Sequence, residues 1–316
     1  MKKVLKYIKR GKSFEEMSRY LKMSEDEIKA VIVGLQLEGY PIHLFVEDGE
    51  AKVQYNPIKE APKETWQLNH PTGKVFKCLL ISDTHYASKW DVPEVVEEVY
   101  EYAYKNDIKT VLHAGDITDG YYKNRGNHVH ELRAIGATEQ ADYVIDTHPK
   151  QDGILTYFIA GNHDFTHIKN GGTEVGKLIA KERADMIYLG QDIADLKINN
   201  TIIRMVHPTG GRAYALSYKT QKYVEAIPGG EKPHIYCHGH WHDAFFMLYR
   251  NIYCYSVPGL QAPTPYTVSK GIAGPMGYWN IEFESDKEGN IIYNKNELKQ
   301  YHHKPEHKVL TKRRAV

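Results

Sequence analysis

Cysteine is scarce: the 316 residues hold three, Cys78, Cys237 and Cys254. An odd number of widely spaced thiols set in apolar runs builds no disulfide frame and suits reduced thiols in a cytoplasm. Net charge is nearly absent as well. Lys and Arg number 41 against 40 Asp and Glu, a formal balance of +1, so bulk charge draws the molecule to neither nucleic acid nor membrane, and any such affinity must be local. No apolar run approaches the length of a membrane span, and the opening MKKVLKYIKRGKSFEEM carries charge without an apolar signal stretch. The chain is therefore expected to be soluble and cytoplasmic. Internal repeats and low-complexity tracts are also missing. The length leaves room for one large domain and a small one. Two residue types stand out in number, 24 Tyr and 17 His, and histidine is the commonest metal-ligand side chain.

The stretch Leu79-Leu80-Ile81-Ser82-Asp83-Thr84-His85 reads as a buried strand that ends in an Asp and a His two residues apart. In extended chain, residues i and i+2 point the same way. An apolar strand has no packing reason to finish in two lone-pair donors, so the ending points to a metal. The same ending recurs. From Val75 onward short apolar strands alternate with helical stretches, the pattern of a layered α/β domain. Strands are expected near 76–81, 110–113, 154–160, 186–189, 194–198, 202–207 and 234–238, helices near 92–105, 173–183 and 213–225, and hairpin strands from 245 to 293. Strand 110–113 runs into Gly115-Asp116-Ile117-Thr118-Asp119, and strand 154–160 into Gly161-Asn162-His163-Asp164. Strand 202–206 ends in His207, and strand 234–237 runs into His238-Gly239-His240-Trp241-His242. Parallel strands deliver their C-terminal ends to one crevice, which is what a two-metal site requires.

This ordered series, Asp-x-His, Gly-Asp-x-x-Asp, Gly-Asn-His-Asp, a lone His and Gly-His-x-His, resembles the calcineurin-like metallophosphoesterase superfamily over roughly residues 75–285. The resemblance implies a four-layer α/β/β/α sandwich with a dinuclear centre. Carried over motif by motif, it makes Asp83, His85 and His242 ligands of one cation, Asn162, His207 and His240 ligands of a second, and Asp116 the bridge. A hydroxide bridging the two metals would attack phosphorus. His163 would stabilise or protonate the leaving oxygen, Asp119 would hold His163, and Asp164 is a weaker candidate for that orienting role. Hard oxygens mixed with imidazoles suit two divalent ions such as Mn²⁺, with Fe, Zn²⁺ or Mg²⁺ as alternatives.

Residues 1–57 read as a separate unit. Val4, Leu5 and Ile8 mark a short helix; Ser13-Phe14-Glu15-Glu16 and Ser24-Glu25-Asp26-Glu27 are capping boxes opening two more. Ile28, Val31, Ile32 and Leu35 fall at helical spacing before Gly39, and a hairpin turns at Asp48-Gly49. Three short helices and a hairpin resemble the winged helix-turn-helix. Residues 58–74, rich in Pro and Gly, read as linker, 75–300 as the metallophosphoesterase domain, and 301–316, with Lys304, Lys308, Lys312, Arg313 and Arg314, as a basic tail.

Taken singly, His113, His167, His234 and His238 are better explained as core or surface histidines. Gly126-Asn127-His128 imitates a ligand motif but follows a polar loop, although His128 and His130 could line the cleft. Tyr121, Tyr122, Arg125 and His128 on the same insertion, 117–150, are candidates for substrate contact. Gly120 stands where the phosphoprotein phosphatase branch carries an Arg, which disfavours that branch. A winged helix fused to such a centre points to a DNA-cutting nuclease, of the kind used in phage or mobile-element repair. Residues 1–22 hold eight basic and two acidic residues, but the presumed recognition helix opens on carboxylates, which repel phosphates. The alternative is an esterase acting on a small nucleotide or similar ester, with the winged helix docking a protein; a non-enzymatic scaffold fits the intact ligand set poorly. A long basic groove would mark the nuclease, and a pocket capped by residues 120–150 the small-molecule enzyme.

Overall fold

The computed structural model describes residues 2–47, 49–55 and 65–302. Asp48 of the hairpin turn, linker residues 56–64 and the basic tail from residue 303 lie outside them. The chain divides into two compact units, Met1–Pro62 and Lys63–Val316.

The first unit has helices α1 (Lys2–Tyr7), α2 (Phe14–Leu21) and α3 (Glu25–Leu37), and strands β1 (Lys12–Ser13), β2 (Ile42–Glu47) and β3 (Glu50–Tyr55). Both capping boxes form. The Ser13 and Ser24 hydroxyls accept from the Glu16 and Glu27 amides, and each Glu carboxylate accepts from its serine amide in return. One face of each helix is apolar, and Val4, Leu5, Ile8, Met17, Ile28, Ile32 and Leu35 close on Ile42 and Val53 of the hairpin. The three strands lie antiparallel in the order β1-β3-β2.

The second unit holds β4 (Thr65–Leu68), β5 (Phe76–Ile81), α4 (Pro93–Lys105), β6 (Thr110–His113), α5 (Ala137–Thr147), β7 (Leu155–Ala160), α6 (Phe165–Gly171), α7 (Val175–Glu182) and β8 (Met186–Gln191). It continues through β9 (Ile193–Ile198), β10 (Thr201–Val206), α8 (Tyr218–Ala226), β11 (Ile235–His238), β12 (Phe245–Tyr249), β13 (Ile252–Ser256), α9 (Pro265–Ser269), β14 (Met276–Ser285) and β15 (Ile291–Tyr301). Two six-stranded sheets result, in the orders β15-β14-β5-β6-β7-β8 and β12-β13-β11-β10-β9-β4. Strand β5 explains the layering. Its alternate residues Cys78 and Leu80 meet Leu196, Met205, Ile235 and Tyr255 of the other sheet, while Leu79 and Ile81 meet Val96, Val99 and Tyr100 of α4. Buried on both faces, such a strand must be apolar throughout. Helices α4, α5 and α7 cover one sheet and α8 the other, so the unit has four layers.

Local structure departs from the sequence reading in several places. Residues 65–68 are not linker: β4 pairs parallel with β9, and Trp66 Nε1 donates to the Leu189 carbonyl at 3.3 Å. The surrounding prolines and glycine hid its short alternation of exposed Thr65 and Gln67 with half-buried Trp66 and Leu68. The insertion is not all loop, because Gln140, Ala141 and Val144 give α5 a buried face. Helix α8 begins at Tyr218 rather than 213, and α9 interrupts the expected run of hairpins.

Candidate metal centre

Each chemistry-bearing motif begins where a strand stops. Strands β5, β6 and β7 are parallel neighbours in one sheet, and β10 and β11 are parallel neighbours in the other. Their C-terminal ends therefore share an edge. Beyond those ends Asp83, His85, Asp116, His240 and His242 all adopt positive φ, between 45° and 76°. Asp and His enter this region more readily than most residues, but each instance still costs about 1 kcal/mol or more and persists only where neighbours over-determine it. The neighbours are visible: the amides of Asp83 and His85 donate to the carbonyls of Gly115 and Asp116 at 3.0 and 3.1 Å. The His240 amide donates to Asp83 Oδ2 at 3.0 Å, and that of His163 to Asp116 Oδ1 at 2.8 Å. Gly239 has to be glycine, since a Cβ there would lie on Ser82 Oγ and 2.6 Å from Asp83 Oδ2.

The side chains converge in three overlapping groups: Asp83, His85 and His242; His85, Asp116 and His163; and Asp116, His207 and His240. Within each group the ligand atoms all lie within 4.8 Å of one another. Asp116 is the hinge, its Oδ2 standing 3.0 Å from His207 Nε2 and 4.0 Å from His85 Nε2. Asn162 Oδ1 is 3.1 Å from His207 Nε2.

Hydrogen bonds fix which ring nitrogen faces inward. His207 Nδ1 donates to the Ala114 carbonyl at 2.8 Å and His240 Nε2 to that of Gly210 at 3.0 Å, so the nitrogens left facing inward are His207 Nε2 and His240 Nδ1. His85 Nδ1 is held by Asp119 Oδ1 at 3.0 Å. Its Nε2 is buried without a hydrogen-bond partner, 3.7 Å from Asp83 Oδ1, too far to bond it. A buried lone pair aimed at two carboxylates is what a cation-holding site needs, and the donor set of imidazole, carboxylate and amide oxygen fits a divalent metal.

Charge follows the same layout. Burial alone would raise Asp83, but the imidazoles of His242 and His85 outweigh it and hold the carboxyl well below its usual range. Asp116 is likewise held low against burial by His207 and His163. In return Asp116 lifts His207 to about 9 despite burial, whereas burial takes His240 down to about 4.

Residues 76–267 match the model of the calcineurin-like phosphoesterase superfamily domain. The chain belongs to that superfamily. Calcineurin-like phosphoesterases are metal-dependent hydrolases, and the three Asp/His groups are where this one could hold metal. No curated protein matches the chain in sequence. Among solved structures it is similar to an archaeal phosphodiesterase, 12% identical over 71% of this chain and 99% of that one, TM-score 0.41. It is also similar to a predicted phosphoesterase of Streptococcus pneumoniae, 15% identical over 72% and 99%, TM-score 0.36. A third is vacuolar protein sorting 29 of Cryptosporidium parvum, 10% identical over 72% and 98%, TM-score 0.37.

The remaining sequence candidates fall in different places. Asp119 does more than hold His163. Its carbonyl accepts from His163 Nδ1 at 2.7 Å, while its carboxylate faces His85 at 3.0 Å, His163 at 3.3 Å and His128 Nε2 at 3.5 Å. Three imidazoles hold that carboxyl well below the usual range in spite of burial. Asp164 accepts from the amides of Gly161, Ile117 and Thr118, clamping two motif loops rather than orienting His163. His128 lines the cleft and is buried beside the centre; His130 is exposed. Tyr122 and Arg125 line the cleft, whereas the Tyr121 backbone is held by Thr166 and Asn170 and its ring stacks on His128, centroids 6.3 Å apart. Burial, then Asp116, pushes the Tyr122 hydroxyl up to about 12. His113 Nε2, His167, His234 and His238 pair with Thr84, Gln140, the Ile202 amide and Thr220, outside the three groups, and His113 Nδ1 is buried without a hydrogen-bond partner.

Sequence reasoning missed Arg212 and Tyr266, which also line the cleft. Neither sits in a motif: Arg212 lies in the loop after β10 and Tyr266 on α9.

Proposed function

We propose that this phosphoesterase hydrolyses phosphodiesters at a dinuclear centre, with Asp83, His85 and His242 holding one cation, Asn162, His207 and His240 the other, and Asp116 between them. The observation that carries this reading is the position of Asp116 Oδ2 between the two imidazole sets, 3.0 Å from His207 and 4.0 Å from His85. Two bound divalent cations, Mn²⁺ foremost with Fe, Zn²⁺ or Mg²⁺ as alternatives, supply charge for the phosphoryl oxygens and a water acidic enough to attack at neutral pH. The chain's own groups do the rest. His163, pinned through Nδ1 to the Asp119 carbonyl, has Nε2 left for the cleft, where the imidazolium gives its proton to the leaving oxygen. The Asp119 carboxylate stabilises that charge and keeps the His85 ring turned inward.

The substrate we favour is a DNA end. The three-helix and hairpin unit supports a winged helix that brings nucleic acid to the centre, and its basic first 22 residues would contact the backbone. The cleft is bounded, about 540 Å³, and flanked by Arg125 and by Tyr266 of α9, with the Arg125 guanidinium 4.2 Å from the centre of the Tyr266 ring. A duplex running across it would meet that clasp; an end need not. The second reading, a small nucleotide or other phosphoester with the winged helix docking a protein, is favoured by the walling of the cleft with Tyr122, Arg125 and His128 of the insertion and by the pairing of both rim arginines, Arg125 with Glu131 and Arg212 with Asp243 at 2.5 and 2.7 Å. Paired arginines attract a polyanion weakly.

Hydrolysis of bis-p-nitrophenyl phosphate, linear DNA and closed circular single-stranded DNA with Mn²⁺ separates these. We expect the diester and linear DNA to be cleaved and the circle spared. Cleavage of the diester alone would leave the small-molecule reading, and a chain inert on all three would sink both.

A further inference from the structure

The hydroxyl of Tyr122 has one proton and two lone pairs. It donates to the backbone carbonyl of Asn162 at 3.3 Å and accepts from Asn162 Nδ2 at 2.7 Å. A carbonyl can only accept, so the single proton is committed there and the amide end facing Tyr122 has to be the NH₂. Oδ1 is thereby turned the other way, to within 3.1 Å of His207 Nε2 and beside the group of Asp116, His207 and His240. The reversed amide would aim two N–H donors at that group, the wrong polarity for a cation. An Asn side chain alone has no means of choosing between the two.

The backbone of Tyr122 is itself placed. Its amide donates to His128 Nδ1 at 3.0 Å, which makes Nε2 the protonated nitrogen, directed at Asp119 Oδ2 3.5 Å away. His128 is buried, so this is a packed strut and not a surface contact.

We propose that Tyr122 is a positioning residue: braced by His128, it selects the orientation of Asn162 in which the amide oxygen faces the metal site. The insertion that carries both residues is then part of the centre's support rather than only a rim. This rests on the reading of Asn162 as a cation ligand.

The test is calorimetric titration of the full-length, chelator-stripped chain with MnCl₂, for wild type, Tyr122→Phe, Asn162→Asp and the double variant, with urea midpoints to verify folding. Loss of an outer partner of a ligand typically weakens metal binding by about 10–100-fold, and Tyr122→Phe is expected at about tenfold. An aspartate has two equivalent oxygens and no wrong end, so in the Asn162→Asp background the same change should cost less than about twofold, far below that outer-partner range. An equal loss in both backgrounds, or none in either, would overturn the proposal. Asn162→Ala leaving Mn²⁺ affinity unchanged would instead overturn the ligand reading beneath it.

Discussion

The carboxylate of Asp119 accepts the Nδ1 proton of His85 at 3.0 Å, although the two residues sit on loops after different strands. That bond turns the other nitrogen of His85 toward Asp83 and Asp116.

Asp119→Asn should therefore weaken metal binding and not merely slow turnover. An outer-partner loss of about 10–100-fold in Mn²⁺ affinity is expected, read by titration of the stripped chain. Unchanged affinity with lowered turnover would assign Asp119 to His163 alone.

His163→Ala should spare metal binding and lower turnover by about 10²–10⁴-fold on a poor leaving group. The loss should shrink on bis-p-nitrophenyl phosphate, because p-nitrophenolate leaves without a proton. Equal losses on DNA and on that diester would remove the proton-donor role.

Stability should fall in mild acid for reasons outside the centre. His148 is buried with Nε2 on the Tyr100 hydroxyl at 2.8 Å, and burial holds it well below its ordinary value; burial also takes His167 down to about 4. The unfolded chain, with histidine near 6.5, then binds more protons than the folded one. Their contribution is complete above about pH 6.5 and drains as pH drops toward 4, at up to about 1.4 kcal/mol per pH unit for each proton. Urea midpoints at pH 7.5, 6.5 and 5 should decline in that order, and His148→Gln should flatten the decline. A midpoint that holds at pH 5 would contradict this.

Trp66 tests where the second unit begins. Its half-buried ring packs on the inter-sheet core, so Trp66→Ala should cost about 2 kcal/mol, below the 3–5 of a fully buried ring. A chain starting at Val75 would lose β4, bare the edge of β9 and aggregate more readily. Equal solubility and stability of that shortened chain would show β4 to be dispensable.

What was legible in the sequence follows from period and position. Strand β5 could be read because burial on both faces forces a continuous apolar run, and the ligand motifs because nothing in packing explains Asp and His at strand ends. The capping boxes marked α2 and α3 by local chemistry alone. Strand β4 was lost because four residues with one face half exposed make a weak signal among prolines. The depth of His128 was illegible for a related reason: a polar loop gives no sign of which of its residues folds back under it, and only the contact with Asp119 reveals that. Arg212 and Tyr266 reach the cleft through tertiary packing that has no periodic trace.

The most direct measurement is anomalous diffraction at the manganese edge from crystals soaked in Mn²⁺. The expected result is two peaks flanking Asp116, one among Asp83, His85 and His242 and the other among Asn162, His207 and His240. A single peak, or peaks away from Asp116, would contradict a dinuclear centre.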